Sequence, residues 1–256
     1  MPRSFFIQEI SMAHSEQQNT SRRSLLKRTA GLSALAMTGI AGFSLPAVSF
    51  AAALSKEQRD NMTPDEVIAS LKAGNQRFRA GKMLQHDYLA QKRASQKGQY
   101  PSAVILSCID SRAPAEILLD AGIGETFNSR VAGNVENDDI LGSMEFACAL
   151  AGAKLVLVMG HTSCGAVKGA IANAELGNLT GLLNKIKPAI AATRYDGERS
   201  ASNYDFVDAV ARTNVQMTLQ DIRRRSSVLN KLEQEGKIKI VGALYHLVGG
   251  KVEFLA

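Results

Sequence analysis

Two short apolar runs, Ala103 to Leu106 and Lys154 to Met159, interrupt a chain whose hydrophobic positions otherwise recur mainly at helical spacing. Nearly unbroken aliphatic runs of this length are what strands covered on both faces require. The first delivers Cys108 at its C-terminal end. After the second, Gly160 is expected to turn the chain so that His161 and Cys164 sit just past the strand end. Thr126 to Val131 reads as another strand, and Ile238 to Leu247, Gly249-Gly250 and Val252 to Leu255 as a closing hairpin.

Helices fill the intervals. Thr63-Pro64-Asp65-Glu66 is a helix start, with Thr63 as cap, Pro64 at the first helical position and Glu66 closing a capping box. Val67, Leu71 and Phe78 continue that stripe to Gly81. Residues 82 to 101 are polar and mix a second helix with loop. Ala115 to Leu119, Ile140 to Leu150 and a segment from near Gly165 are helical, 179 to 201 is loose helix with loop, and Phe206 to Leu232 reads as one long helix with an exposed Arg223-Arg224-Arg225 run. Strands alternating with helices predict an α/β fold: a central, mostly parallel β-sheet with an antiparallel edge strand, flanked by helices. The helix from Pro64 suits either an N-terminal arm around a partner or ordinary packing. Ligands of such sheets bind at the C-terminal ends of strands, where Cys108 and the His161–Cys164 segment both fall.

Composition limits the classes. The 256 residues are 45% hydrophobic and 21% charged, enough for one sizeable core. The net charge of +6 is inflated by residues 1–53, where Arg3, Arg22, Arg23, Lys27 and Arg28 face only Glu9 and Glu16; the remainder holds 25 basic against 22 acidic residues. Such a balance gives no footing for nucleic-acid binding. Ser21-Arg22-Arg23-Ser24-Leu25-Leu26-Lys27 resembles the twin-arginine export motif, and no charge occurs from Thr29 to Ser55. Residues 1–53 are therefore expected to be a signal peptide, cut between Ala51 and Leu54, leaving a 54–256 domain in the periplasm or otherwise exported, without a stable membrane anchor. The competing reading is an uncleaved anchor, since the uncharged stretch is long enough to span a bilayer. Translation starts at Met1 or at Met12.

The candidate chemistry lies in Cys108-Ile109-Asp110-Ser111-Arg112 and His161-Thr162-Ser163-Cys164. Two thiolates and one imidazole make three protein ligands, where a structural zinc uses four, and leave a position for an acidified water. Asp110 either takes the fourth position, closing the site, or accepts a hydrogen bond from that water. Arg112 decides between these by holding the carboxylate in a planar fork. The bland alternative is a surface Asp–Arg pair beside a closed zinc site, and another is a Cys108–Cys164 disulfide, although three cysteines argue against a disulfide framework. Two thiolates neutralise the ion, so its water should ionise above the value of about 7 seen with three histidines, and activity should rise toward alkaline pH.

The pattern C-x-D-S-R followed by H-x-x-C resembles the β-class carbonic anhydrases. So do Gly74-Asn75-Gln76-Arg77-Phe78, Arg130-Val131-Ala132-Gly133-Asn134, Ser143-Met144-Glu145-Phe146-Ala147 and Gly249-Gly250-Lys251-Val252-Glu253-Phe254-Leu255. The resemblance implies reversible hydration of carbon dioxide to bicarbonate and a proton by zinc-bound hydroxide. It implies one Zn2+ per subunit on Cys108, His161 and Cys164, and Asp110 and Arg112 as the catalytic dyad. It puts the substrate against Gln99, Phe127 and Gly165, as in the plant-type branch, and implies a homodimer or homotetramer with pockets near the interface. Phe146 replaces a frequent tyrosine, Ile105 stands where a bicarbonate-inhibited branch has tryptophan, and His246 stands where an acidic residue is common and reads as a strand residue. Cys148 reads as a small core hydrophobe. Two other readings keep the same zinc site: a carbon disulfide or carbonyl sulfide hydrolase, and a non-catalytic zinc-binding module.

Overall fold

A computed structural model describes residues 50–51 and 53–255, all within one compact unit, Ala47–Ala256. The export motif, its apolar stretch and most of the expected cleavage region lie outside the described residues. Among the described residues, no helix is long and apolar enough to cross a membrane.

A two-stranded parallel pair, β1 (Phe50–Ala51) and β2 (Gln85–His86), brackets helices α1 (Lys56–Asn61) and α2 (Pro64–Arg79). Helix α3 (Tyr88–Ala94) leads to β3 (Ala103–Ser107), α4 (Ala115–Leu118) and β4 (Thr126–Arg130). Then come α5 (Asp138–Glu145), β5 (Leu155–His161), α6 (Gly165–Ile171), α7 (Gly177–Asn184) and α8 (Lys187–Ala192). The chain closes with α9 (Tyr204–Arg225), α10 (Ser227–Gln234), β6 (Lys239–Tyr245) and β7 (Val252–Phe254). The main sheet runs β4-β3-β5-β6-β7, parallel except for the antiparallel edge strand β7.

Alternation along the central strands divides the core. Ala103, Ile105, Leu155, Leu157 and Met159 pack on one face with Val67 and Leu71 of α2 and Leu118 of α4. Val104, Leu106, Val156 and Val158 pack on the other with Met144, Cys148, Val215 and Ile222. Burial on both faces explains why β3 and β5 read as continuous apolar runs. The capping box of α2 forms as expected, with the Glu66 amide on the Thr63 hydroxyl and the Thr63 amide on the Glu66 carboxylate. That helix lies against its own sheet, through Val67, Leu71 and Asn75, whose amide spans Leu118 O, Gly250 O and the Val252 N–H.

Four local expectations change. Strand β5 does not stop at Gly160 but runs through His161, which pairs with Tyr245. Gly160 serves close approach instead: a β-carbon there would lie 2.7 Å from Val215 Cγ2 of α9, and the same holds at Gly242 on the next strand. The helix read as Phe206 to Leu232 breaks at Ser226, whose hydroxyl caps α10 at the Leu229 amide and bonds Glu145 Oε1 at 2.6 Å. The arginine run around that break is exposed at Arg224 and Arg225, as expected, and each member is paired: Arg223 holds Glu233 with two bonds, Arg224 reaches Asp221, and Arg225 reaches Glu136 and Asp138. Beyond α5, residues Phe146–Leu150 widen into a π turn that puts Ala147 and Cys148 inside and Leu150 outside. His246 lies one residue past β6 and bonds Glu253 Oε2 at 2.9 Å.

Candidate metal centre

The parallel pairing of β3 with β5 sets Ser107 beside Met159, so both strands end at the same level of the sheet. Cys108 follows the first strand and His161 ends the second. The Thr162 amide bonds Tyr245 O at 2.9 Å, extending the ladder by one rung, and the chain then turns through Ser163 into Cys164 and α6. The outcome is a buried cluster: Cys108 Sγ, one His161 nitrogen and Cys164 Sγ lie within 4.8 Å of one another.

The donor chemistry fits a zinc ion. The two sulfurs are 4.0 Å apart and both cysteines are free thiols. A disulfide requires about 2.05 Å, whereas two thiolates on a tetrahedral zinc stand about 3.8 Å apart. His161 Nδ1 lies 2.9 Å from Thr162 O, and since a carbonyl only accepts, Nδ1 carries the hydrogen. The ligand atom is therefore Nε2, which is buried without a hydrogen-bond partner among the described residues. An imidazole fixed through one nitrogen with the other left bare is the arrangement a metal ligand needs.

Of the three donors, Cys108 is the one whose surroundings most favour the charged, metal-ligating form. The Cys164 thiol beside Cys108 brings the latter's pKa down to about 4, against the opposing effect of burial, with the Gly133 N–H at 3.3 Å adding support. Cys164, as donor in that pair and buried, is pushed up. Burial disfavours a charge on His161, yet the neighbouring Cys108 thiolate outweighs it and raises its pKa. Cys148 sits elsewhere, its thiol pushed up to about 12 by burial alone, as a core residue.

Asp110 and Arg112 form a two-pronged pair: Nε to Oδ1 at 2.9 Å and Nη2 to Oδ2 at 2.8 Å, with the Arg112 amide also on Oδ1 at 2.9 Å. Arg112 thereby holds the Asp110 carboxyl well below the usual carboxylate range. Asp110 Oδ2 is 3.8 Å from His161 Nε2, at the rim of the cluster but committed to the arginine.

Two of the sequence-derived substrate residues stand apart. Gln99 lines a hollow with Ser95, Lys97 and Gly124, and Phe127 lines another with Val104, Asn128 and Phe146, and none of the three cluster residues borders either. Phe127 meets the Phe146 ring edge-on at 6.2 Å, so Phe146, which replaces the frequent tyrosine, makes an apolar contact there. Gly165 adjoins Cys164 at the start of α6, and a β-carbon there would meet no atom within 4 Å.

Other contributors escaped the sequence reading. Arg130 donates to Cys108 O at 2.9 Å and to Asp110 O at 2.6 Å, fixing the backbone between ligand and dyad. Asn214 of α9 donates to Gly133 O at 2.8 Å and so holds, from its other side, the residue whose N–H bonds Cys108. Asp208 of α9 accepts the Ser163 amide at 2.6 Å. Arg130 lay inside a recognised segment, whereas Asp208 and Asn214 carried no local signal.

Residues 103–252 match the sequence pattern of a family described as carbonic anhydrase. Carbonic anhydrase 2 of Mycobacterium tuberculosis is 36% identical over 197 residues, covering 75% of this chain and 92% of the relative. The chain belongs to the β-class carbonic anhydrase family. A carbonic anhydrase of Mycolicibacterium smegmatis is 35% identical over 199 residues, covering 75% of this chain and 94% of that one. Among solved structures, the β-carbonic anhydrase CafA of Aspergillus fumigatus superposes with a TM-score of 0.58 at 27% identity, over 75% of this chain and 91% of the other. A tetrameric β-carbonic anhydrase of Sordaria macrospora shares the fold, with a TM-score of 0.56 at 20% identity over 75% and 98% of the two chains. Membership makes this chain an enzyme with the family's mixed sheet and Cys/His/Cys cluster.

Proposed function

We propose that the chain catalyses the reversible hydration of carbon dioxide with one zinc ion per subunit held by Cys108 Sγ, His161 Nε2 and Cys164 Sγ. The observation that carries this reading is a three-donor cluster whose nearest carboxylate, Asp110, is withheld by Arg112. Zinc bound there would supply a Lewis-acidic centre that makes water nucleophilic near neutral pH. The chain's own groups do the rest. Asp110 is too strongly acidic to store a proton at neutral pH, so its role is to accept a hydrogen bond and orient the attacking water. Arg112 keeps both carboxylate oxygens from the cluster, and Arg130 fixes the peptides that carry Cys108 and Asp110.

Gln99, Phe127 and Gly165 are proposed as the substrate pocket of the plant-type branch, with Gln99 as hydrogen-bond donor to bicarbonate and Phe127 as a dry wall. Since Gln99 and Phe127 stand away from their own cluster, we place the complete pocket at an interface between copies, in a dimer or a dimer of dimers. The outer edge of β4, unpaired among the described residues, supports that reading, because half-exposed Ile117 and Ile123 lie beside it. We further propose that residues 1–53 direct twin-arginine export and are removed, leaving a 54–256 domain in an exported compartment. Stopped-flow hydration by metal-analysed protein across pH tests the activity. Turnover that rises toward alkaline pH and scales with zinc content is expected; fast sulfide release from carbonyl sulfide without hydration would refute it.

A further inference from the structure

Ser163 sits between two members of the cluster in a backbone conformation that residues with a β-carbon avoid, with φ at +54°. Such a residue costs on the order of 1 kcal/mol or more and persists only where its surroundings impose it. Thr162 needs no special device, because its amide continues the sheet onto Tyr245 O and its hydroxyl accepts the Leu247 amide at 3.0 Å. Ser163 must leave that ladder. Its amide is taken by Asp208 Oδ1 at 2.6 Å, from the first part of α9, 45 residues farther along the chain. Helix α9 is itself fixed against the sheet by Val215 over Gly160 and Gly242, so the carboxylate is presented from a rigid support.

We infer that Asp208 is a positioning residue of the metal centre: by holding the Ser163 amide it imposes the left-handed turn that brings Cys164 Sγ to the bare nitrogen of His161. Asp208 is not one of the three donors and acts only through the Ser163 backbone. The inference rests on the reading that the cluster holds zinc and extends it to a residue outside both sequence motifs.

The test uses the purified chain loaded with zinc and then challenged with a chelating dye, and, in parallel, the absorption of the cobalt-substituted protein. Asp208→Ala should weaken zinc retention by about tenfold or more, the usual cost of losing a group that orients a ligand. It should also shift the thiolate-to-cobalt bands. Asp208→Asn keeps an oxygen that accepts the same amide and should stay near wild type. Ser163→Gly with Asp208→Ala should regain most retention and the wild-type bands, because glycine takes positive φ freely. Unchanged retention and bands in Asp208→Ala would overturn the inference, as would a double variant as leaky as the single one. Should Asp208→Ala alone fail to fold, the double variant decides: a soluble, zinc-retaining protein supports the inference and an insoluble one overturns it. A wild-type chain that takes up no zinc would overturn the proposed function as well, whereas zinc-retaining wild type with an indistinguishable Asp208→Ala overturns the inference alone.

Discussion

Arg112 exposes much of its side chain, yet its three bonds to Asp110 are what keep a carboxylate from the metal cluster. Removing it leaves Asp110 free to swing the short distance toward His161 and become a fourth ligand. Hydrogen bonds to charged groups contribute about 1.5–3 kcal/mol, so Arg112→Ala should lower the hydration rate by about 10- to 100-fold. Zinc content should be unchanged, as read by metal analysis beside stopped-flow rates. Arg112→Lys should recover little, because a point charge cannot engage both oxygens in one plane. The pair was legible in the sequence because its members are two residues apart and share a strand end with Cys108. Arg130, Asn214 and Asp208 act just as locally in space, but they arrive from another strand and a late helix. Nothing in one sequence marks a lone buried asparagine or a half-buried aspartate as attached to a site far away in the chain.

Between elements, Asp120 is the main polar junction on the α2 face. It sits at φ +50° after α4 and accepts from Arg77 of α2 at 2.5 Å, the Leu84 amide at 3.1 Å and His86 of β2 at 3.1 Å. Burial opposes its charge, but Arg77 and the other donors win and lower its pKa. A carboxyl lowered on folding stabilises above its unfolded pKa, near 3.9, and that stability is lost as pH falls through the lower folded value. Asp120→Asn tolerates the left-handed backbone and isolates the charge. It should cost about 2–3 kcal/mol in urea denaturation at pH 7, and the gap to wild type should narrow as pH drops below about 4. Ser226 is a second junction, capping α10 and bonding Glu145, and Ser226→Ala should cost about 1–2 kcal/mol by the same measurement. The helix start at Thr63 and the strands β3, β4 and β7 could be read directly, since caps and apolar runs are local signals. The break at Ser226 could not, because helical periodicity continues across it. Nor could the extension of β5 through Gly160 and His161, which is decided by pairing with β6.

At the level of the whole molecule, one chain brings the metal donors together but leaves Gln99 and Phe127 in separate hollows. The same flank of the sheet is unfinished: no strand among the described residues pairs with the outer edge of β4, and Ile117, Tyr88 and Phe146 there are each about half exposed, at 50%, 51% and 50%. An unpaired edge flanked by large apolar side chains is an association surface. On the proposed reading, a second copy that covers it would finish both the sheet flank and the pocket and would tie assembly to turnover in a way that sequence periodicity cannot express. Ile117→Asp places a charge on that surface, away from the cluster and on an exposed helix position. The expected result is a shift toward monomer in light-scattering chromatography, with zinc content kept and hydration falling by about tenfold or more, as loss of a positioned substrate group predicts. Full activity in a monomeric Ile117→Asp protein would mean that each chain completes its own pocket, and Gln99 and Phe127 would then have to be replaced as substrate contacts by residues already bordering the cluster.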